Sequence, residues 1–164
     1  MPAILSLHRE AFGSDEGATI AKLVSELLQS EPARTILSLV ATDDTEICGH
    51  VLFTMVFNAH HSTLNARILA PLAVAPRCQG RGIGATLVNN GLAELARRQV
   101  DAVFVLGDPK YYSRFGFHTD HSIDPPYALP YPEAWQAKAL NPGALDGKTG
   151  TIQCAAALQD PVHW

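Results

Sequence analysis

Chemistry in this sequence is concentrated in Gln79-Gly80-Arg81-Gly82-Ile83-Gly84, a run suited to holding an oxyanion. Glycines let backbone N–H groups approach a phosphate closely. An apolar, helix-forming stretch follows at once, and the free N–H groups of a first helical turn attract anions, aided by the helix dipole. Arg77 and Arg81 add positive charge, so the turn reads as a pyrophosphate site. It is not a Walker loop, because no Gly-Lys-Ser/Thr ending follows. Gly80-x-Gly82-x-x-Ala85 nominally fits a dinucleotide turn. That fold, however, places the turn in its first βαβ unit, with an acid at the end of the next strand. Here strands precede the turn, the next strand ends in Leu106-Gly107, and Asp101 stands at its beginning.

Other reactive side chains form no pattern of comparable strength. Cys48, Cys78 and Cys154 are odd in number and widely spaced, which suggests reduced thiols in a cytoplasmic protein. His60-His61, if on a strand, point to opposite faces and cannot chelate a metal as a unit, so no metal is expected. His118 and His121 are expected in loops or strands near the substrate side. Tyr127, Tyr131 and Trp135 are candidates to line an acceptor pocket, with ordinary packing equally open.

Net charge is −4 over 164 residues, unevenly spread. From Arg77 to Arg114 six basic residues face three acidic ones, net +3, while the remainder carries −7. A basic middle in an acidic chain fits one local anionic ligand better than a nucleic-acid surface. No apolar run reaches the roughly 18 residues of a membrane span, and no basic start precedes an apolar block, so neither membrane nor export is expected.

Several elements must position the turn. Residues 2–12 and about 15–29 predict two helices, the second with Ile20, Leu23, Val24, Leu27 and Leu28 on one face. Strands are predicted over 35–42, 47–57 and 67–74, with a turn at 43–46 and a candidate bulge at Gly49. The third strand, almost wholly apolar, should be central. A helix over 82–99 and a buried strand over 100–106 follow. Asp108-Pro109 opens a short helix, with Asp108 as its cap. A strand beginning at Phe117, a short helix over 132–140 and a last strand over 149–158 complete the chain. This order predicts a single α/β (α+β) domain over residues 1–164, a mixed sheet covered by helices.

The stretch from Leu72 through Gly84 to Leu87 resembles the GNAT superfamily of N-acetyltransferases, whose turn reads Gln/Arg-x-x-Gly-x-Gly/Ala. Gln79, Gly82 and Gly84 match it. Val105 to Phe117 is similar to the superfamily's next strand, helix and Gly-Phe turn. The tail, with Glu133-Ala134-Trp135 and Asn141-Pro142-Gly143-Ala144-Leu145-Asp146-Gly147, resembles its YhbS-like bacterial branch. The resemblance spans about residues 3–158 and is most specific over 68–117. It implies a mostly antiparallel sheet with a splayed strand pair that holds CoA. It also exposes a departure: either the strand that usually precedes the first helix is missing or the start of this sequence lies downstream of it, and either way the 35–42 strand should be left at a sheet edge.

The resemblance implies roles residue by residue. Gln79, Gly80, Arg81, Gly82, Ile83 and Gly84 would bind the CoA pyrophosphate. Leu72, Ala73 and Val74 would pair with the pantetheine arm, one N–H polarising the thioester carbonyl. Tyr112, four residues before Gly116, would protonate the leaving thiolate, with Tyr111 as the fallback. No acid stands on the 67–72 strand, so the base is unassigned; Asp108 is a weaker candidate than it is a cap. The implied activity is acetyl transfer from acetyl-CoA to a small-molecule or peptide amine, directly in a ternary complex. A homodimer is left open. The competing readings are a non-catalytic acyl-CoA sensor and a nicotinamide-dependent oxidoreductase.

Overall fold

The computed structural model describes all 164 residues. Helix α1 (Pro2–Ser30) carries one break, at Gly13, whose φ of 71° lies in the left-handed region. The two predicted helices are therefore two arms of one kinked element. The arms close where Arg9 O lies only 2.4 Å from the position a Cβ would take on Gly17. Strands β1 (Ile36–Asp43) and β2 (Glu46–Asn58) form a hairpin, followed by β3 (Ala66–Val74), α2 (Ile83–Arg97) and β4 (Ala102–Leu106). Short α3 (Pro109–Tyr112), β5 (Ser122–Asp124), β6 (Trp135–Ala139) and β7 (Thr149–Gln153) complete the regular elements.

The sheet runs β5-β7-β2-β3-β4-β6, with β1 paired to β2 at its edge. Two pairs are parallel, β3 with β4 and β5 with β7; the others are antiparallel. This is the predicted mixed sheet with a central β3 and an exposed β1. The side-chain period of two divides the core. Leu52, Val56, Ile68 and Phe104 face α1's Leu23 and Leu27. Val51, Phe53, Leu69, Val103 and Val105 face α2's Leu87, Val88, Leu92 and Leu95. The β1–β2 register shifts beside Gly49, and there the side chains of Ile83 and Leu87 come within 2.9 Å of where a Cβ would sit. The glycine thus lets α2 lie against the hairpin.

Beneath α1 two wholly buried histidines meet. His8 Nε2 lies 2.8 Å from His50 Nδ1, and His50 Nε2 lies 2.9 Å from Ser38 Oγ. His8 Nδ1 has no partner, and its ring stacks on Phe12 at 6.1 Å.

Three expectations are corrected after residue 116. The predicted 132–140 helix is a single 3₁₀ turn followed by β6, which pairs with β4. The open edge of β4 outweighs local helix preference, and Trp135, Gln136 and Ala137 are buried there. The strand predicted at Phe117 reduces to one bridge, His118 to Ala137. The last strand stops at Gln153 and gives way to 3₁₀ turns.

Candidate active site

The site begins where two strands part. β3 and β4 pair from Ala66 and Ala102 to Leu69 and Val105, and β3 then continues to Val74 paired only with β2. An irregularity between the Phe53–Leu69 and Val51–Leu72 pairs puts one extra residue in β3, at Ala70-Pro71. Beyond it Ala75 N–H donates to Cys48 O of β2 at 2.9 Å. Backbone groups alternate along a strand, so the N–H and C=O of Leu72 and Val74 turn toward the unpaired edge. Val74 O accordingly accepts from the Gln79 side chain at 3.1 Å.

Two hollows open along this edge and share Leu72. One, of about 450 Å³, is bounded by Val74, Gly80, Gly82, Ile83, Gly84 and Tyr111. Gly82 sits at φ 78° as the N-cap of α2 and offers no side-chain cap. The first helical bond runs from Thr86 N to Gly82 O at 3.0 Å, leaving the N–H groups of Ile83, Gly84 and Ala85 for a ligand. Gly84 is open for a different reason: the Tyr111 hydroxyl lies 2.6 Å from where a Cβ would be.

The expected residues are not equivalent here. Gln79 borders the hollow, but its N–H bonds to Pro76 O and its side chain to Val74 O, so it braces the turn. The Arg81 guanidinium is held by Asp43 at 2.8 Å and Arg77 by Glu46 at 2.8 Å. These partners lie on the hairpin, which the sequence count of local charge could not reveal. Arg114, which counts in the sequence only as local charge, borders the hollow instead, stacked over the Tyr111 ring at 4.7 Å.

The second hollow, of about 530 Å³, is a largely apolar cleft between α1, the parted strands and the C-terminal turn. Tyr112 stands in it with its ring against the Gly107 backbone, its hydroxyl free of any protein hydrogen bond. Burial, with Tyr111 beside it, pushes the phenol above its usual value and keeps it protonated at neutral pH. The adjacent tyrosines are thus divided between the hollows. Phe12, Asp15, Glu16 and Thr19 reach the cleft from the kink of α1, and His163 reaches it from the far end of the chain. Sequence reasoning passed over these residues, since only tertiary folding brings them beside Tyr112.

Other candidates lie elsewhere. Asp108 caps α3, accepting from Lys110 N at 2.9 Å. His60 and His61 sit in the turn after β2, where His61 Nε2 accepts from Thr149 N, and no cluster of three metal-ligating side chains occurs. His121, Tyr127 and Trp135 border a separate groove, and Tyr131 is exposed. Trp135 is buried against Phe104, with ring centroids 5.2 Å apart, which removes it from the Tyr112 cleft. All three cysteines are free.

Residues 1–119 match the family model for the acetyltransferase (GNAT) domain. The chain belongs to this family. It is 37% identical over 158 residues to the uncharacterized N-acetyltransferase YjhQ of Escherichia coli K12, covering 93% of this chain and 85% of YjhQ. It is 39% identical over 154 residues to E. coli K12 YhbS, likewise named an uncharacterized N-acetyltransferase, covering 93% and 89%. The crystal structure of E. coli YhbS with CoA superposes with a TM-score of 0.85 at 34% identity, over 96% of this chain and 85% of that one. A Brucella melitensis GNAT acetyltransferase with acetyl-CoA superposes at 0.75 and 29% identity, over 96% and 90%. The chain is thus a GNAT N-acetyltransferase with acetyl-CoA as co-substrate, and the sensor and oxidoreductase readings fall away. No helix is long and apolar enough to cross a membrane.

Proposed function

We propose that this GNAT enzyme moves acetyl from acetyl-CoA to a primary amine seated in the 530 Å³ cleft, by direct attack in a ternary complex. One observation carries the reading. The glycine-rich turn and Tyr112 lie in hollows that meet at Leu72, on a strand edge that no neighbouring strand pairs. Pyrophosphate at the N–H groups of Gly80–Ala85 would let pantetheine run along Leu72–Val74 and bring the thioester into the cleft. There Leu72 N–H would stabilise the carbonyl oxygen as it gains charge. Tyr112 would protonate the departing sulfur. Gln79 acts through the turn it braces, and Arg81 through its backbone.

Asp15 and Glu16 at the cleft mouth favour a cationic acceptor, attracted by charge and held with its carbon chain on the apolar floor. The free thiols suit a reducing, cytoplasmic setting, in which residues 1–164 act as one transferase domain. The test is thiol release from acetyl-CoA with tyramine, agmatine, spermidine and neutral or anionic amines. Cationic acceptors should be turned over best. Binding of acetyl-CoA without thiol release on any amine would sink the proposal.

A further inference from the structure

An amine nitrogen that attacks a thioester becomes cationic and must shed a proton before the tetrahedral intermediate collapses to amide. Nothing on β3 can take it, since Leu69, Ala70, Pro71 and Leu72 line that wall. Asp108 is engaged as a cap. Besides Tyr112, the titratable side chains of the cleft are Asp15 and Glu16, exposed at its mouth, and His163 within it.

His163 is held by a built turn. Asp160 caps the turn through Val162 N at 3.0 Å, and His163 N–H donates to Asp160 O at 3.1 Å. Trp164 locks the end, donating Nε1–H to Leu158 O at 2.7 Å and setting its ring on Trp135 at 5.7 Å. The imidazole carried by this turn makes no hydrogen bond of its own. Its Nδ1 is sealed from solvent without a partner, so the nitrogen left to meet a ligand is Nε2.

We propose that His163 is the general base of the acetyl transfer, a role that rests on the cleft being the amine site. The free amine, its first proton already lost to solvent, forms the N–C bond. His163 accepts the N–H proton of the resulting cationic nitrogen. The C–S bond breaks and sulfur takes the Tyr112 proton, giving CoA thiol and amide. The proton on His163 then passes through water to the tyrosinate, so each ammonium substrate releases one proton overall. Burial holds the imidazole below its usual value, partly offset by Asp160 and Glu26 and reinforced by Lys22. With Asp15, Glu16 and Tyr112 on the cleft side, these are the charged or titratable groups facing it. The ring is therefore neutral, and able to accept, at pH 7.

The test compares wild type with His163→Asn and His163→Ala, using the best acceptor among tyramine, agmatine and spermidine. In both variants kcat should fall by on the order of 10²-fold, with acetyl-CoA affinity unchanged. The wild-type kcat at saturating amine should hold through the usual imidazole range and decline only as pH falls through the lowered His163 value, and the ratio of wild type to variant should decline with it. Added imidazole should restore part of the turnover of His163→Ala. Undiminished kcat in both folded variants overturns the proposal. So does loss accompanied by a lower melting temperature, an unchanged pH ratio and no rescue by imidazole, which makes the residue structural. If wild type binds acetyl-CoA yet acetylates no amine, the reading of the cleft itself fails, and the base falls with it.

Discussion

The two hollows that meet at Leu72 are built in opposite ways. The hollow proposed for the phosphates is nearly one continuous stretch of chain, and the groups it offers are backbone N–H donors at a helix start. The Tyr112 cleft gathers side chains from the kink of α1, the ends of β3 and β4, and the last turn of the chain. Backbone donors fixed by local geometry suit a cofactor whose phosphates do not vary. A wall of side chains from separate elements can be exchanged piece by piece, which suits the partner that differs among enzymes. Substitutions on the two sides should therefore separate cofactor binding from turnover.

The largest expected effect lies on the cleft side. Tyr112→Phe keeps the ring against Gly107 and removes only the hydroxyl, so kcat should drop by on the order of 10²-fold while acetyl-CoA affinity holds. Steady-state kinetics with calorimetric binding would show it. A matching loss of affinity would erase the division between the hollows. Next comes Gly84→Val on the phosphate side. The added carbons meet the Tyr111 hydroxyl, and overpacking of about 1–3 kcal/mol should weaken CoA by about 5- to 150-fold in a protein that still folds. Unchanged affinity would move the pyrophosphate elsewhere. Arg114→Ala should weaken CoA by only about 3- to 10-fold, less so in high salt, as befits an exposed charge. Smallest of all is Arg81→Ala, with a change within about twofold because Asp43 already holds that guanidinium. If Arg81→Ala proved the more damaging of the two arginine changes, side-chain charge on the turn would matter more than its backbone.

This contrast also explains what could be read from the sequence. Gly82 and Gly84 stand two apart at a strand–helix junction, and such local signals foretell local geometry. The helical character on either side of Gly13 and the central position of β3 follow from apolar spacing in the same way, although the spacing predicts two helices where the structure has one kinked α1. The wrong expectations fall where tertiary pairing decides. Residues 135–139 lean locally toward helix, and β4 nonetheless draws them into the sheet. Tyr127 and Trp135 are open, by sequence, between an acceptor pocket and ordinary packing, and with His121 they border a groove apart from Tyr112. The Arg81–Asp43 pair crosses 38 positions and left no trace in a count of nearby charge. His163 is separated from Tyr112 by 51 positions, and no periodicity links them.

The buried contact of His8 with His50 ties folding itself to proton concentration. Burial depresses His8 to about 4 and, with His8 beside it, His50 to about 3, against about 6.5 in an unfolded chain. Above pH 6.5 neither state binds these protons, and the contact is fully in place. As pH falls below 6.5 the unfolded chain takes them up first, and folding stability declines toward the depressed values. The slope is about 1.4 kcal/mol per pH unit for each histidine titrating in that window. Urea unfolding at pH 7 and pH 5 should show the decline, and the paired change His8→Leu with His50→Leu should flatten it. Because Phe12 stacks on His8 and also lines the Tyr112 cleft, one wall of that cleft rests on a contact whose stability is set by protons.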